Sequence, residues 1–113
     1  MKVKRFDIWL ADLNPKFGTE PGKVRPVVII QTDLLNEINH PSTIVCPIST
    51  KVIGEAKLLR VHLKNNLDRP SDILIDQIRS IDNKRLLKII GKLNKSQKKL
   101  LVDNLIIVLD LLN

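Results

Sequence analysis

Short apolar runs separated by turn residues, followed by one helical segment, most constrain the fold of this chain of 113 residues. The runs are rich in Val, Ile and Leu, and clusters of Gly, Pro, Asn, Asp and Ser divide them. Apart from one helical turn at residues 34–38, no helix separates the runs, which favours an antiparallel sheet over parallel βαβ units. The predicted strands cover residues 6–13, 24–31, 43–49, 59–63 and 73–78, with a sixth at 85–93.

The last segment has the periodicity of an amphipathic helix. Asn94 is a suitable N-cap, and Gln97 three residues later completes a capping box. Apolar residues then recur at helical spacing to the end of the chain. The stripe consists of Leu101, Leu105, Val108 and Leu112, and it is widened by Val102, Ile106 and Leu109. This stripe is wider than the face of one small sheet can cover. We therefore predict that a second copy of the chain covers the rest of it in a homodimer.

Length and composition predict one domain that spans residues 1–113. The predicted fold class is mainly β with a C-terminal α-helix, arranged as an antiparallel barrel or curled sheet. Cys46 has no second cysteine to pair with, residues 1–10 lack a charged-then-apolar leader, and no apolar run has membrane-spanning length. These features predict a cytoplasmic protein without a membrane partner.

The balance of charges indicates an acidic partner. The chain carries 19 Lys and Arg against 12 Asp and Glu, a net charge of +7, and residues 84–99 hold seven of the basic residues and no acid. Such asymmetry is typical of proteins that bind nucleic acid, although a solvated basic face that keeps a small protein soluble has the same composition. Aromatic residues make up 3% of the chain, so any platform for base stacking is small.

Signals for a metal or cofactor site are weak. His40 and His62 lie 22 residues apart, and no Asp or Glu pair has ligand spacing. Gly18 and Gly22 are not followed by the Lys-Ser/Thr of a phosphate-binding loop. We therefore predict no cofactor and no metal. A nucleophilic pair of Cys46 with a histidine would require a proximity in space that the sequence does not reveal.

Four motifs in fixed order resemble those of the MazF/PemK toxin endoribonucleases of type II toxin–antitoxin systems. They read Asp-Ile-Trp-Leu-Ala-Asp-Leu-Asn-Pro at 7–15, Gly-Thr-Glu-Pro-Gly-Lys-Val-Arg-Pro at 18–26, Pro-Ile-Ser-Thr at 47–50 and Asp-Gln-Ile-Arg-Ser-Ile-Asp at 76–82. The resemblance spans nearly the whole chain. It implies an SH3-like antiparallel barrel of the PemK/CcdB-like toxin type, a homodimer, and an antitoxin protein with an acidic tail as partner.

The resemblance also implies an activity, the metal-independent cleavage of single-stranded RNA at short sequences. In this reaction the ribose 2′-hydroxyl attacks the adjacent phosphate and leaves a 2′,3′-cyclic phosphate and a 5′-hydroxyl. Such a site must accept a proton, stabilise the phosphoryl oxygens and protonate the leaving 5′-oxygen.

Three residues match the catalytic positions of the family. Arg25 falls on the catalytic arginine, and because a guanidinium rarely releases its proton, we assign it stabilisation of the transition state before proton donation. Ser49 falls where many members have threonine, with a hydroxyl for the scissile phosphate. Asp76 matches the general base of one branch, but that branch has histidine and arginine where this chain has Thr19 and Leu74.

Further candidates for catalysis or substrate binding surround these positions. Glu20 is an acidic partner for Arg25, and Gln77 can read a base edge or bond to backbone groups. Pro47 predicts a bulge or an edge strand, and a bulge would turn Thr50 instead of Ser49 into the groove. The candidates in this class are Glu20, Thr50, Gln77, Thr19 and Lys23.

Two other functions fit parts of the same sequence. A non-catalytic nucleic-acid-binding SH3-like barrel explains the basic charge, and turnover of RNA in EDTA distinguishes it from an enzyme. A CcdB-like toxin that poisons gyrase shares the fold type, but its aromatic C-terminal end is absent here, where the chain ends Leu-Leu-Asn.

Overall fold

The computed structural model describes residues 2–53 and 59–112. Over these residues seven strands precede a C-terminal helix, which confirms the predicted mainly β class. The strands are β1 (Asp7–Asp12), β2 (Val24–Ile29), β3 (Ser42–Ser49), β4 (Arg60–Leu63), β5 (Ser71–Leu74), β6 (Arg79–Asp82) and β7 (Leu86–Lys92). The helices are α1 (Asp33–Asn36) and α2 (Lys95–Val108), and 3-10 turns lie at Ile75–Gln77 and Asn83–Arg85.

All strand pairs are antiparallel, in the order β4-β5-β3-β2-β1-β7. The sixth strand lies off this path and pairs with the first half of β3, while β5 pairs with its second half. Within residues 2–53 and 59–112 no ladder joins β4 to β7, so the sheet is barrel-like without being closed. Asn66, in the loop after β4, spans this opening by donating from Nδ2 to the carbonyl of Lys92 at 2.9 Å.

The predicted strand at 73–78 is wrong in its second half. β5 ends at Leu74, the chain makes a 3-10 turn, and β6 begins at Arg79. The sequence pattern does not reveal this break, because Ile75 and Ile78 are apolar and continue the pattern of a strand. In the structure Ile75 packs into the core from the turn. The division gives β3 two short partners in succession instead of one long partner.

Of the two structures predicted at Pro47, a bulge and an edge strand, the edge strand is wrong. On one side it pairs with Val27 of β2. On the other side it lies between Val45, which pairs with β6, and Ile48, which pairs with β5. No register shift interrupts the β2–β3 pairing over the described ladder. The missing N–H of proline is tolerated here because the strand changes partner at this point.

Two clusters of apolar side chains lie on the two faces of the sheet. The first, which includes Ile8, Val28 and Ile48, is covered by Leu101 and Leu105 of α2. The second contains Trp9, Ala11, Val27 and Val45, among others. Cys46 is buried in the first cluster, where burial, together with the nearby carboxylate of Asp76, raises the pKa of its thiol to about 12. The thiol therefore stays protonated at neutral pH.

The C-terminal helix begins as predicted and ends earlier. The Asn94 side chain accepts from the Gln97 N–H, and the Gln97 side chain accepts from the Asn94 N–H, so the capping box is confirmed. The helix ends at Val108, where Asp110 adopts a φ of 55° and the Leu111 N–H donates to the Ile106 carbonyl. Leu112 lies beyond this cap and is 84% exposed, so it does not belong to the buried stripe. None of the described helices is long and apolar enough to cross a membrane.

Candidate active site

Four polar residues form one row across β2, β3, β5 and β4. Ser49 pairs with Asp72, and Asp72 pairs with His62. The β2–β3 ladder ends at Val27 and Pro47, and Arg25 and Ser49 each lie two residues beyond that pair, so alternation gives both the same side of the sheet as the pair. Residues directly opposite each other in antiparallel strands project from the same face. Arg25, Ser49, Asp72 and His62 therefore share the face opposite to the one that α2 covers.

Arg25 is held at its place by the backbone of the preceding loop. Its Nε donates to the carbonyl of Gly22 at 2.8 Å. Partial burial lowers the pKa of Arg25 from its ordinary value, because desolvation disfavours the charged form. No ion pair joins Arg25 to Glu20, both of which lie in the described part of the chain. The carboxylate of Glu20 therefore does not orient the guanidinium in this structure.

The loop that holds Arg25, residues 14–23, is closed at its base by hydrogen bonds. The Asn14 side chain accepts from the Lys23 N–H at 2.7 Å, and the Leu13 N–H donates to the Lys23 carbonyl at 2.8 Å. Lys23 itself has a φ of 64°. The side chains of Thr19 and Lys23 are exposed, so they are available to a ligand but are not fixed by this network.

Ser49 and Thr50 face opposite sides of the sheet. Ser49 is partly exposed in the row with Arg25, and its Oγ accepts from the Lys51 N–H at 3.1 Å. Thr50 is exposed and lines a cleft of about 640 Å³ on the other face, together with Leu10, Pro26 and Ile48. The register thus groups Ser49, and not Thr50, with Arg25.

Asp76 and Gln77 lie in the 3-10 turn after β5. Asp76 is exposed and close enough to Cys46 to act on its thiol. Within residues 2–53 and 59–112, no hydrogen bond or ion pair joins Asp76 to Arg25 or Ser49. Arg25 and Ser49 thus share one face of the sheet, and Asp76 follows β5 in a turn.

A buried carboxylate that sequence reasoning missed occupies the centre of the row. The side chain of Asp72 is fully buried and accepts from three groups. Nδ1 of His62 lies 2.5 Å from Oδ1, and Oδ2 accepts from Arg60 Nη1 and from the Ile53 N–H, both at 3.0 Å. Alternation in Arg60–Leu63 indicates that Arg60 and His62 share a face, but Ser71–Leu74 reads Ser-Asp-Ile-Leu without alternation, so only the strand register reveals Asp72 as their partner.

The environment of Asp72 keeps it ionised in spite of its burial. Burial alone raises the pKa of a carboxyl, because the charged form loses its hydration. The hydrogen bonds from Ile53, His62 and Arg60 outweigh this effect, and the pKa of Asp72 is lowered from its ordinary value of 3.8. Asp72 is therefore charged at neutral pH and forms a buried anchor for His62 and Arg60.

The basic stretch at residues 84–99 is partly structural. Arg85 donates to the carbonyls of Asp12 and Asn14, and so ties β7 to the start of the loop at residues 14–23. Lys99 pairs with Asp103 one turn later in α2, and Lys98 lies 5.7 Å from the centre of the Phe6 ring. Its remaining members are exposed on β7 and the first turn of α2: Lys84, Lys88, Lys92 and Lys95. Within the described residues, no cluster of three His, Cys, Asp or Glu side chains is placed to hold a metal ion.

Comparison with known proteins identifies the family. The family model of the PemK-like, MazF-like toxins of type II toxin–antitoxin systems matches residues 4–109. The chain belongs to this family. It is 45% identical over 106 residues to the endoribonuclease MazF of Staphylococcus epidermidis, covering 90% of this chain and 86% of that protein. The resemblance predicted from the four motifs is thereby confirmed.

Solved structures of the family have the same fold. The Mycobacterium tuberculosis toxin MazF-mt6 superposes with a TM-score of 0.76 at 27% identity, over 92% of this chain and 96% of its own. A MazE–MazF crystal structure from Deinococcus radiodurans gives a TM-score of 0.78 at 19% identity, over 97% of both chains. The arrangement of an antiparallel sheet and a C-terminal helix is thus that of the MazF toxins.

Proposed function

We propose that this chain is an endoribonuclease toxin that cleaves single-stranded RNA at specific short sequences, without a metal ion. The observation that carries this proposal is the placement of Arg25 and Ser49 on adjacent strand ends and on one face, in a chain 45% identical to an endoribonuclease. A guanidinium and a hydroxyl on neighbouring strands and on one face of the sheet can together bind the two non-bridging oxygens of one phosphodiester.

Arg25 acts chiefly by its charge. Although burial lowers the pKa of its guanidinium, the ordinary pKa of an arginine lies so far above neutrality that the group remains a cation. Its attachment to the Gly22 carbonyl leaves the Nη groups to bind phosphate, which gains negative charge as the 2′-oxygen attacks. Ser49 adds a hydrogen bond to the same phosphate.

The other candidate residues have supporting roles in this proposal. Thr19, Glu20 and Lys23 extend the site along the loop at residues 14–23, where exposed side chains contact the RNA on either side of the cut. Asp76 and Gln77 reach substrate from the turn after β5, with Asp76 as the candidate general base. Thr50 contacts nucleotides that extend into the cleft on the other face.

The experiment that tests the activity is cleavage of a defined RNA by purified protein in EDTA. We expect a 2′,3′-cyclic phosphate, a 5′-hydroxyl, and no cleavage where the nucleotide at the cut carries a 2′-deoxyribose. Arg25→Ala removes one transition-state donor and should lower kcat by about 30- to 1,000-fold, equivalent to about 2–4 kcal/mol. Arg79→Ala is the matched control, since Arg79 is a half-buried arginine on β6, outside the row.

The outcomes separate the competing functions. Tight binding of RNA without turnover would favour the non-catalytic barrel, and loss of activity only when Mg²⁺ is removed would refute metal independence. Equal kcat for Arg25→Ala and wild type would refute the role of Arg25 while leaving the ribonuclease activity standing.

We also propose an antitoxin with an acidic tail as the protein partner, acting in the cytoplasm where RNA is the substrate. One Deinococcus relative is known in a complex with MazE. Exposed lysines on β7 and α2 give this chain a surface for a flexible acidic segment. If the tail occupies the RNA groove, a saturating non-cleavable RNA should weaken binding of the antitoxin peptide. Simultaneous and independent binding of the two would contradict a shared groove.

A homodimer completes the proposal. Leu100, Ile107, Leu109 and Leu111 are between 45% and 62% exposed on and just after α2, so the chain leaves apolar surface uncovered there. A symmetric pair would cover this surface and join two basic grooves. Sedimentation velocity at micromolar concentration should show twice the chain mass, and a species of 12.9 kDa would contradict the dimer.

A further inference from the structure

RNA cleavage by 2′-hydroxyl attack needs a proton donor, and neither Arg25 nor Ser49 is well suited to that role. The leaving 5′-oxygen is an alkoxide unless it is protonated as the P–O bond breaks. A guanidinium holds its proton too firmly for this step, and a serine hydroxyl is a still weaker acid than a histidine. Histidine is the side chain whose ordinary pKa lies closest to neutral pH.

His62 has the geometry of an oriented acid–base group. One ring nitrogen, Nδ1, is held 2.5 Å from the buried carboxylate of Asp72. The imidazole side chain is nevertheless 37% exposed, and Nε2 has no hydrogen-bond partner within residues 2–53 and 59–112. A carboxylate on Nδ1 selects the orientation of the ring and stabilises the protonated form, which leaves Nε2 to face a ligand.

Asp72 is itself held by hydrogen bonds, so the carboxylate that orients His62 has a fixed position. Arg60 Nη1 bridges the Asp72 carboxylate, at 3.0 Å, and the Lys51 carbonyl, at 2.7 Å. The Ile53 N–H gives the carboxylate a third hydrogen bond. His62 and Asp72 also lie on paired strands, β4 and β5, and not on a loop. Groups fixed in this way by neighbouring hydrogen bonds are suited to a catalytic site.

The row places His62 on the side of Ser49 opposite to Arg25. Neighbouring strands are about 4.8 Å apart, so His62 lies two spacings, about 10 Å, from Ser49 between Cα atoms. The two long side chains, Arg25 and His62, stand at the ends of the row, and the two short ones, Ser49 and Asp72, form its floor. A phosphate above Ser49 thus lies between the guanidinium and the imidazole. The buried carboxylate of Asp72 is paired with Arg60, which offsets its repulsion of a phosphate.

We propose that His62 is a further catalytic residue, the proton donor to the leaving 5′-oxygen, and that Asp72 is its positioning residue. The inference rests on the proposed ribonuclease activity and deepens it. In the step, the 2′-oxygen bonds to phosphorus, the bond from phosphorus to the 5′-oxygen breaks, and Nε2 gives its proton to that oxygen. The 2′-hydroxyl proton passes to water or to Asp76, and neutral His62 regains a proton from solvent before the next turnover.

The proposal predicts a particular dependence on pH. A general acid works only while it is protonated, so the proposal predicts that kcat falls as the pH rises. The charged groups around the ring are Asp72 on β5 and Arg60 and Lys64 on and just after β4. The start of α2 also lines the cleft beside His62, and its residues there are uncharged: Asn94, Ser96, Gln97 and Leu100.

The decisive variant is His62→Gln, which keeps a side-chain N–H for Asp72 but has no titratable proton near neutral pH. We expect kcat on a short RNA to fall by about 100- to 10,000-fold, the usual contribution of a general acid, with KM changed less than about threefold. The descending limb of the pH profile should disappear. His40→Gln is the matched control, because only backbone atoms of His40 form hydrogen bonds in the structure.

A substrate with sulfur in place of the leaving 5′-oxygen separates catalysis from folding. A thiolate leaves without a proton, since the pKa of a thiol is only about 8.5. His62→Gln should therefore cleave this substrate at a rate within about threefold of wild type, although it fails on normal RNA. A deficit that persists with the sulfur substrate, or a His62→Gln variant as active as wild type on normal RNA, would overturn the proposal.

The same experiment distinguishes this inference from the proposed function. If wild type cleaves RNA and Arg25→Ala does not, while His62→Gln cleaves normally, then only the role of His62 is wrong. If wild type shows no cleavage in any condition, both the ribonuclease activity and the role of His62 fall.

Discussion

Replacing Asp72 by alanine should destabilise the protein more than any other loss of a single carboxylate that the structure describes. Ionised Asp72 accepts three hydrogen bonds, from Arg60, His62 and the Ile53 N–H, and a hydrogen bond to a charged group is worth about 1.5–3 kcal/mol. Burying the carboxylate itself costs several kcal/mol, and the variant is freed of this desolvation penalty. The net loss of stability is therefore much smaller than the sum of the three hydrogen bonds. Arg60 and His62 are 17% and 37% exposed and can regain water. We expect a net loss of about 2–4 kcal/mol at neutral pH.

The pH dependence of this loss has a definite sign. The pKa of Asp72 is lower in the folded chain than the ordinary value of 3.8, so between the two values the unfolded chain binds more protons. The stabilisation is therefore complete above about pH 4 and is lost as the pH falls through the lower, folded value. The gap between wild type and Asp72→Ala should shrink over that range.

Urea unfolding followed by circular dichroism, at one fixed protein concentration, measures both effects. Asp103→Ala is the control, because its pair with Lys99 is exposed and should contribute at most about 0.5 kcal/mol. A loss for Asp72→Ala no larger than that of the control at pH 7 would refute the reasoning. So would a gap between wild type and Asp72→Ala that stays constant down to the acid limit of folding.

Two further substitutions test the packing around α2 and the support of the catalytic arginine. Leu101→Ala leaves a cavity at a fully buried position of α2 and should lower the free energy of unfolding by about 2–5 kcal/mol in the same assay. Leu100 is half exposed on the same helix, so Leu100→Ala should lower it by less than about 1 kcal/mol. Equal losses for the two variants would contradict the burial of Leu101. Gly22→Ala would bring a Cβ within 2.6 Å of Lys16 Cβ, so the loop must shift and with it the carbonyl that holds Arg25. We expect kcat to fall by about tenfold with little change in stability, and unchanged cleavage would show that this carbonyl does not position the arginine.

Local patterns along the chain predicted the elements that depend on local physics. Alternation of apolar and polar residues located β1 and β4 to within a few residues, because a strand with one buried face repeats every second residue. Short apolar runs bounded by turn residues located β2, β3 and β7. The capping box of Asn94 and Gln97 located the start of α2. The end of that helix was missed, because Leu109 and Leu112 continue the apolar pattern past a cap that is made by backbone conformation at Asp110.

The candidate site was predictable only in part. Arg25 and Ser49 were predicted because each stands in a motif that the family shares, and the structure gives them the same face of the sheet. Asp76 was predicted in the same way and lies in the turn between β5 and β6. The catalytic roles of all three stay predictions. His62 and Asp72 belong to no motif, and each alone reads as an ordinary polar residue of a strand. Their contact at 2.5 Å depends on how β4 pairs with β5.

The sequence by itself determined the class of the fold, the helix start, the basic surface and the family, since these depend on the order of residues within short segments. Tertiary structure alone decided which polar residues meet, because a period of two tells which face a side chain takes but not which strand lies beside it or in what register. One residue of slip between β3 and β5 would turn Asp72 away from Ser49, and the row from Arg25 to His62 would not exist.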